Sequence, residues 1–126
     1  MIVRAARCLM IRRAEGVEAP LAYCFPGGGI ELGETECQAL CRELREELSV
    51  TIEPIRRVWE SVTPWGVHLA WWTARLDDAA ELIPAPQEVA EVLWQPWDAM
   101  RALPGLLRSN LAFLDALERG DVVLDD

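Results

Sequence analysis

Residues 25–50 read FPGGGIELGETECQALCRELREELSV. Six glutamates fall in these 26 positions, and Glu43, Glu46 and Glu47 lie within five consecutive residues. The three glycines stop regular structure, and Thr35 then opens a helix. Thr35-x-x-Gln38 is a capping-box pattern, in which the threonine caps the first turn and the glutamine reaches back to it. Leu40, Leu44 and Leu48, with Cys37 and Cys41, recur at three- and four-residue spacing, which predicts a helix over 36–48 with one buried stripe. At about 100° per residue, Glu43 and Glu47 lie about 40° apart, with Glu46 about 60° to the other side of Glu43. Three carboxylates therefore share one side of the helix, mostly turned away from the leucines.

That arrangement works against the empty fold. Like charges four residues apart destabilise a helix by about 0.2–0.5 kcal/mol, and these lie toward the end where the helix dipole disfavours anions. Hard divalent cations such as Mg²⁺ or Mn²⁺ prefer carboxylate oxygens, and a bound cation would turn the repulsion into attraction. The competing reading is a solvated acidic face, partly offset by Arg42 and Arg45.

Outward from this stretch, residues 2–13 read as a strand, AEGVEAP as a turn and LAYCF as a second strand, together a hairpin. Two extended segments, roughly 51–61 and 67–76, flank the turn TPWG. The loop DDAAELIPAPQE follows, with two prolines that forbid helix through it, and then the short strand VLWQPW. Pro104 precedes a last amphipathic helix reaching Arg119. Leu107, Leu111 and Leu114 form one apolar row on it, and Leu106, Phe113 and Leu117 a second. The broad face is compatible with a homodimer and equally with a buried core helix. The order strand, strand, helix, strands, helix predicts an α/β (α+β) domain over residues 1–126, with a mixed sheet packed against helices.

The chain has 126 residues, 52% hydrophobic and 26% charged, enough for one core. Its formal net charge of −9 argues against gripping nucleic acid by its phosphates. All the side-chain cations are arginine, which suits bidentate phosphate contacts. No apolar run approaches a bilayer's thickness, and Arg4 and Arg7 interrupt the N-terminal apolar stretch, so neither a membrane span nor a signal peptide is expected. Cys8, Cys24, Cys37 and Cys41 show no C-x-x-C spacing and read chiefly as small buried hydrophobes, in keeping with a cytoplasmic protein.

From Gly28 the sequence runs Gly, five residues, Glu34, seven residues, then Arg42-Glu43-Leu44-Arg45-Glu46-Glu47-Leu48-Ser49-Val50. This resembles the Nudix box, G-x5-E-x7-R-E-U-x-E-E-x-G-U with U a bulky aliphatic, and eight of its nine specified positions match in register. Ser49 stands where the family has glycine. A glycine there supplies a left-handed helix exit, and serine in that conformation would be disfavoured by about 1 kcal/mol.

The resemblance implies a Nudix-type α/β/α sandwich. It also implies Mg²⁺-dependent hydrolysis, with Mn²⁺ as a substitute, of a phosphoanhydride bond in a nucleoside diphosphate linked to another group, in the nucleoside triphosphate or nucleotide-sugar class. By matching positions, Glu46 and Glu47 are the principal metal ligands, Glu43 is a further ligand or a base, and the Gly27 carbonyl completes the set. Glu34 pairs with Arg42 and orients the loop. Family members often recruit a base from a later loop, where Glu88 and Glu91 are the candidates, and Glu91 is carried as a further metal ligand. For substrate binding, Arg13 could reach phosphates, and Trp65, in the turn TPWG, could stack on a base. His68 reads as structural. The expected partner is a small nucleotide, and the alternative function is a Nudix-fold nucleotide-binding or sensor module without turnover.

Overall fold

The computed structural model describes residues 1–124; residues 125 and 126 of the expected 1–126 domain lie outside the described residues. The centre of the fold is strand β2 (Arg7–Arg13), where Cys8, Leu9, Met10 and Ile11 are all fully or almost fully buried. Successive side chains in a strand point to opposite faces, so a continuous apolar run needs cover on both. Cys8 and Met10 pack into one core with Phe113, Leu114 and Ala116, and Leu9 and Ile11 into another with Leu44, Leu48 and Ile52. The helices α1 (Glu36–Leu48) and α2 (Arg108–Arg119) supply those covers, one to each core.

Four strands form the first sheet. Strand β6 (Val89–Pro96) pairs antiparallel with β2 along its length, with a register shift at Arg12/Arg13. On the other edge, β1 (Val3–Arg4) and β3 (Tyr23–Cys24) pair with opposite ends of β2. The second sheet is the hairpin of β4 (Ile52–Val62) and β5 (His68–Leu76), with register shifts at Pro54/Arg56 and Arg57/Trp59. Met1 joins the sheets: its carbonyl accepts from Ala74 N–H at 3.0 Å, and its amino group donates to the Trp72 carbonyl. Every named ladder is antiparallel; the parallel component is the isolated bridge between Tyr23 and Leu106.

Three local expectations change. The strand expected over 2–13 is broken at Ala5 and Ala6, both left-handed at φ 50° and 63°, which make a two-residue hairpin between β1 and β2. Alanine carries no turn signal, and glycine or asparagine is the usual occupant of such a turn. The expected strand LAYCF shrinks to Tyr23–Cys24 because Ala19 and Leu21 also have positive φ. The last strand passes into a 3₁₀ helix, Trp97–Ala102, that the sequence reading lacked, and α2 starts at Arg108 rather than just after Pro104.

The apolar rows of the last helix pack inside this chain. Phe113 and Ala116 are fully buried, and Leu106, Leu111, Leu114 and Leu117 join the same core, so that face lends no support to a homodimer. Among the described residues, no helix is long and apolar enough to cross a membrane.

Candidate active site

Helix α1 starts as its sequence implies. Thr35 Oγ1 accepts from Gln38 N–H at 3.1 Å, and Gln38 Oε1 accepts from Thr35 N–H at 2.9 Å. It ends at Ser49, left-handed at φ 56° and ψ 36°, whose N–H donates to the Arg45 carbonyl. The family's glycine is therefore replaced at a position where the backbone does adopt the glycine conformation. The last turn is closed by the following loop: Ala85 N–H donates to the Glu47 carbonyl at 2.8 Å and Ile83 N–H to the Leu48 carbonyl at 2.9 Å. These bonds satisfy helix-end carbonyls that would otherwise lack partners, and they bring Glu88 to the helix.

The glycine segment lies against the acidic side of α1. An aromatic group of Phe25, Trp59, Trp71 and Phe113, with ring centroids 4.8–6.1 Å apart, anchors its start. Phe25 N–H donates to Asn110 Oδ1 at 2.9 Å, and Gly27 N–H donates to Glu47 Oε1 at 2.9 Å. At Gly28 an added Cβ would lie 2.4 Å from the Glu43 carboxyl carbon, so the Glu43 carboxylate or the loop would have to shift from this close approach.

Arg42 pins loop to helix. Its Nε and Nη2 donate to the two oxygens of Glu34 at 2.6 and 2.9 Å, and Nη2 also donates to the Gly29 carbonyl at 2.8 Å. Its Nη1 donates to Glu43 Oε1 at 2.9 Å and to Glu46 Oε2 at 3.2 Å. These hydrogen bonds hold the Glu34 carboxyl below the usual carboxylate range and the Arg42 guanidinium above its own. Glu43 is pushed up, by burial first, with the Arg42 hydrogen bond opposing and the charges of Glu46 and Glu88 adding to it. Glu47 is pushed up to about 8: burial dominates, the Gly27 N–H and Arg13 oppose it, and Glu43 and Glu88 reinforce it.

Glu88 has one oxygen, Oε2, that is buried and without a hydrogen-bond partner. Glu91 is placed differently: it is exposed, pairs with Arg12 across the ladder, and accepts from the Tyr23 hydroxyl at 3.3 Å. Of the two loop glutamates considered as base or ligand, the structure brings Glu88, not Glu91, to Glu43 and Glu47. The register decides this, since Glu88 precedes β6 while Glu91 lies within it on the outward side.

A cavity of about 630 Å³ opens beside the glycine segment, between the first half of α1, β5 and the start of α2. Arg13 lines it, its Nε donating to the Glu18 carbonyl at 2.6 Å, and its charge is felt by Glu47 and Cys24. Trp65 is 74% exposed at the tip of the β4–β5 turn and is not part of the lining. Instead the wall contains His68, Trp71, Trp72 and Glu36, and Asn110, which is buried. No motif marks these residues, which come from α1, β5 and α2 and meet only in the folded chain.

Among the described residues, no three acidic or histidine side chains already form a cation cage. The donor set nevertheless fits a hard divalent ion. Mg²⁺ keeps several waters and binds through one or two carboxylates plus substrate phosphates, so a complete protein cage is not required. Buried Glu47 and half-buried Glu43, both with raised pKa values, beside the orphaned oxygen of Glu88, are what an added positive charge would relieve.

A family model described as the NUDIX domain matches residues 1–117. Over 96 residues the chain is 32% identical to the NAD-capped RNA hydrolase NudC of Salmonella paratyphi B, covering 75% of this chain and 35% of that protein. The chain thus spans about a third of the length of the curated relatives it matches. Among solved structures it resembles a MutT protein from Methanosarcina mazei, at a TM-score of 0.73 and 18% identity, over 90% of this chain and 83% of that one. It also resembles the E. coli ORF135 protein, at a TM-score of 0.72 and 23% identity, over 94% and 84% of the two chains.

Proposed function

This chain belongs to the NUDIX domain family, and we propose that it is a Mg²⁺-dependent hydrolase of the phosphoanhydride bond in a nucleoside diphosphate that carries a further group. One observation carries the reading. Glu47 is buried under the glycine segment, pushed up to about 8, with Glu43 and the half-orphaned Glu88 beside it. A fold under selection for stability alone has no use for three carboxylates there. The target in the curated relatives' name, an NAD cap, contains the same class of bond. The net charge of −9 favours a small nucleotide over the body of a nucleic acid.

Glu46, Glu47 and the Gly27 carbonyl would hold the cation, with Glu43 as a further ligand. Bound there, it would neutralise diphosphate oxygens and make an attacking water more acidic. The remaining work falls to the chain. Arg42 keeps Glu43 and the glycine segment in fixed relation through its bonds to Glu34 and the Gly29 carbonyl. Gly28 lets the loop backbone lie against the Glu43 carboxylate. Glu88, half-buried with one free acceptor oxygen, suits taking a proton from water better than exposed Glu91 does. Arg13 stands at the cavity wall as a counter-charge for phosphate.

The test is a nucleotide panel, covering triphosphates, sugar nucleotides and dinucleotides, incubated with Mg²⁺ or Mn²⁺ and resolved by chromatography. The expected result is metal-dependent cleavage of one class, lost in Glu47→Gln and reduced in Glu88→Gln far more than in Glu91→Gln. Binding without cleavage across the whole panel would replace this reading with a nucleotide-sensing module.

A further inference from the structure

Glu36 sits in the first turn of α1 and divides its carboxylate between two donors. Oε1 accepts from the Trp72 indole Nε1–H at 2.8 Å, and Oε2 accepts from Arg57 at 3.1 Å. Arg57 also donates to Glu60 at 3.1 Å. The series Trp72, Glu36, Arg57, Glu60 thus ties the start of α1 to the β4–β5 hairpin. Both Glu36 and Trp72 line the cavity, with Ala39 and Leu40 from the same stretch of helix. Seven residues separate Glu36 from Glu43, about 10 Å along the helix axis. The acid–indole pair therefore lies at the far end of α1 from the carboxylates discussed above, at a distance suited to a nucleoside joined to its phosphates.

We propose that Trp72 is the stacking platform for the substrate's nucleobase and that Glu36 is the positioning residue that holds it. This rests on the hydrolase reading above and adds the end of the site that recognises the base. Trp71, next in sequence, differs: it is buried, stacked on Phe113 at 4.8 Å, and donates to Ser61 Oγ, so it belongs to the core. Trp72 is only half-buried, and its one polar group already has a partner, which leaves the indole's π surface as what it offers to a ligand. An aromatic surface accepts any base with little demand on its identity. The Glu36 carboxylate in the same wall has only acceptor oxygens, already engaged by Trp72 and Arg57, and offers phosphate oxygens no donor. The anionic end of the substrate is thereby directed toward Arg13 and the glycine segment.

The experiment titrates wild type, Trp72→Phe, Trp72→Leu, Glu36→Gln and Glu36→Ala by calorimetry in Mg²⁺. The two probes are α,β-methylene-ADP and methylenediphosphonate, which share a non-hydrolysable diphosphate and differ in having a base. Trp72→Leu should weaken the nucleotide about tenfold and leave the base-free probe unchanged, with Trp72→Phe close to wild type. Glu36→Ala should lose part of the nucleotide affinity, and Glu36→Gln should restore it, because an amide oxygen still accepts the indole N–H. With a nucleotide that is turned over, KM should rise in Glu36→Ala while kcat holds. Equal losses for both probes across the Trp72 and Glu36 variants would make the pair purely structural, and wild-type nucleotide affinity in Trp72→Leu would remove the platform. If Trp72→Leu fails to fold, Trp72→Phe with the two Glu36 variants decides the matter. A wild-type protein that binds neither probe overturns the hydrolase reading itself, a distinct result.

Discussion

Replacing Glu47 by glutamine should stabilise the metal-free protein at neutral pH, and by an amount set by its burial. In the folded chain this carboxyl is pushed from 4.5 to about 8, chiefly because it is only 6% exposed. Below about pH 4.5 the group is protonated in both folded and unfolded chains, and folding is not opposed. As the pH rises, the unfolded chain releases the proton while the folded one keeps it, so stability falls by up to about 1.4 kcal/mol per pH unit until the folded group ionises near pH 8. Across that window the loss is on the order of 4 kcal/mol. Glutamine has no proton to release and keeps an oxygen for the Gly27 N–H. Urea unfolding in EDTA between pH 4.5 and 8.5 measures both proteins. The difference should be near zero at the acid end and should grow in the variant's favour to several kcal/mol by pH 8. Adding Mn²⁺ at pH 8 should raise the wild type and leave Glu47→Gln unmoved, because the cation favours the ionised carboxylate. Parallel pH profiles in EDTA would refute the reasoning, since they would mean that Glu47 is solvated or has a cationic partner in the fold.

Gly28→Ala places a methyl group where the Glu43 carboxyl stands, so loop or carboxylate must shift. Turnover should drop on the order of a hundredfold with circular dichroism unchanged, and full activity in the Gly28→Ala variant would show that the close approach is not needed. Ser49→Gly relieves a serine held at φ 56° and should raise stability by about 1 kcal/mol, seen as a melting point several degrees higher at equal kcat; a lower melting point would mean that the serine side chain stabilises the exit in another way.

What was legible in the sequence is what local chemistry dictates. The capping box and the leucine stripe each follow from spacing, and each recurs in the fold as expected. The helix exit was left open by the sequence, because a serine stands where the box asks for glycine; Ser49 nonetheless adopts the left-handed conformation. The hairpin at Ala5 and Ala6 was not legible, because tertiary pairing forces two alanines into a turn they do not favour. The choice between Glu88 and Glu91 depended on where β6 begins, and element boundaries carry little sequence signal. No motif marks Trp72; its partner Glu36 lies 36 residues away and meets it only where the start of α1 reaches β5 in the fold.

The arrangement of charge around α1 also answers why an acidic protein tolerates this helix. Arg42 alone meets Glu34, Glu43 and Glu46, so one guanidinium ties the loop and neutralises the outer part of the cluster. That half of the site is complete within the chain, and the depressed Glu34 carboxyl is its signature. The inner half is not. Glu47 receives one backbone N–H, and Glu88 keeps a buried oxygen with no partner. Arg13 is near enough to lower Glu47 slightly, yet its Nε is engaged by the Glu18 carbonyl. The fold thus divides its glutamates into a set tied to Arg42 and a pair, Glu47 and Glu88, left short of partners, and the division falls where the glycine segment opens onto the cavity.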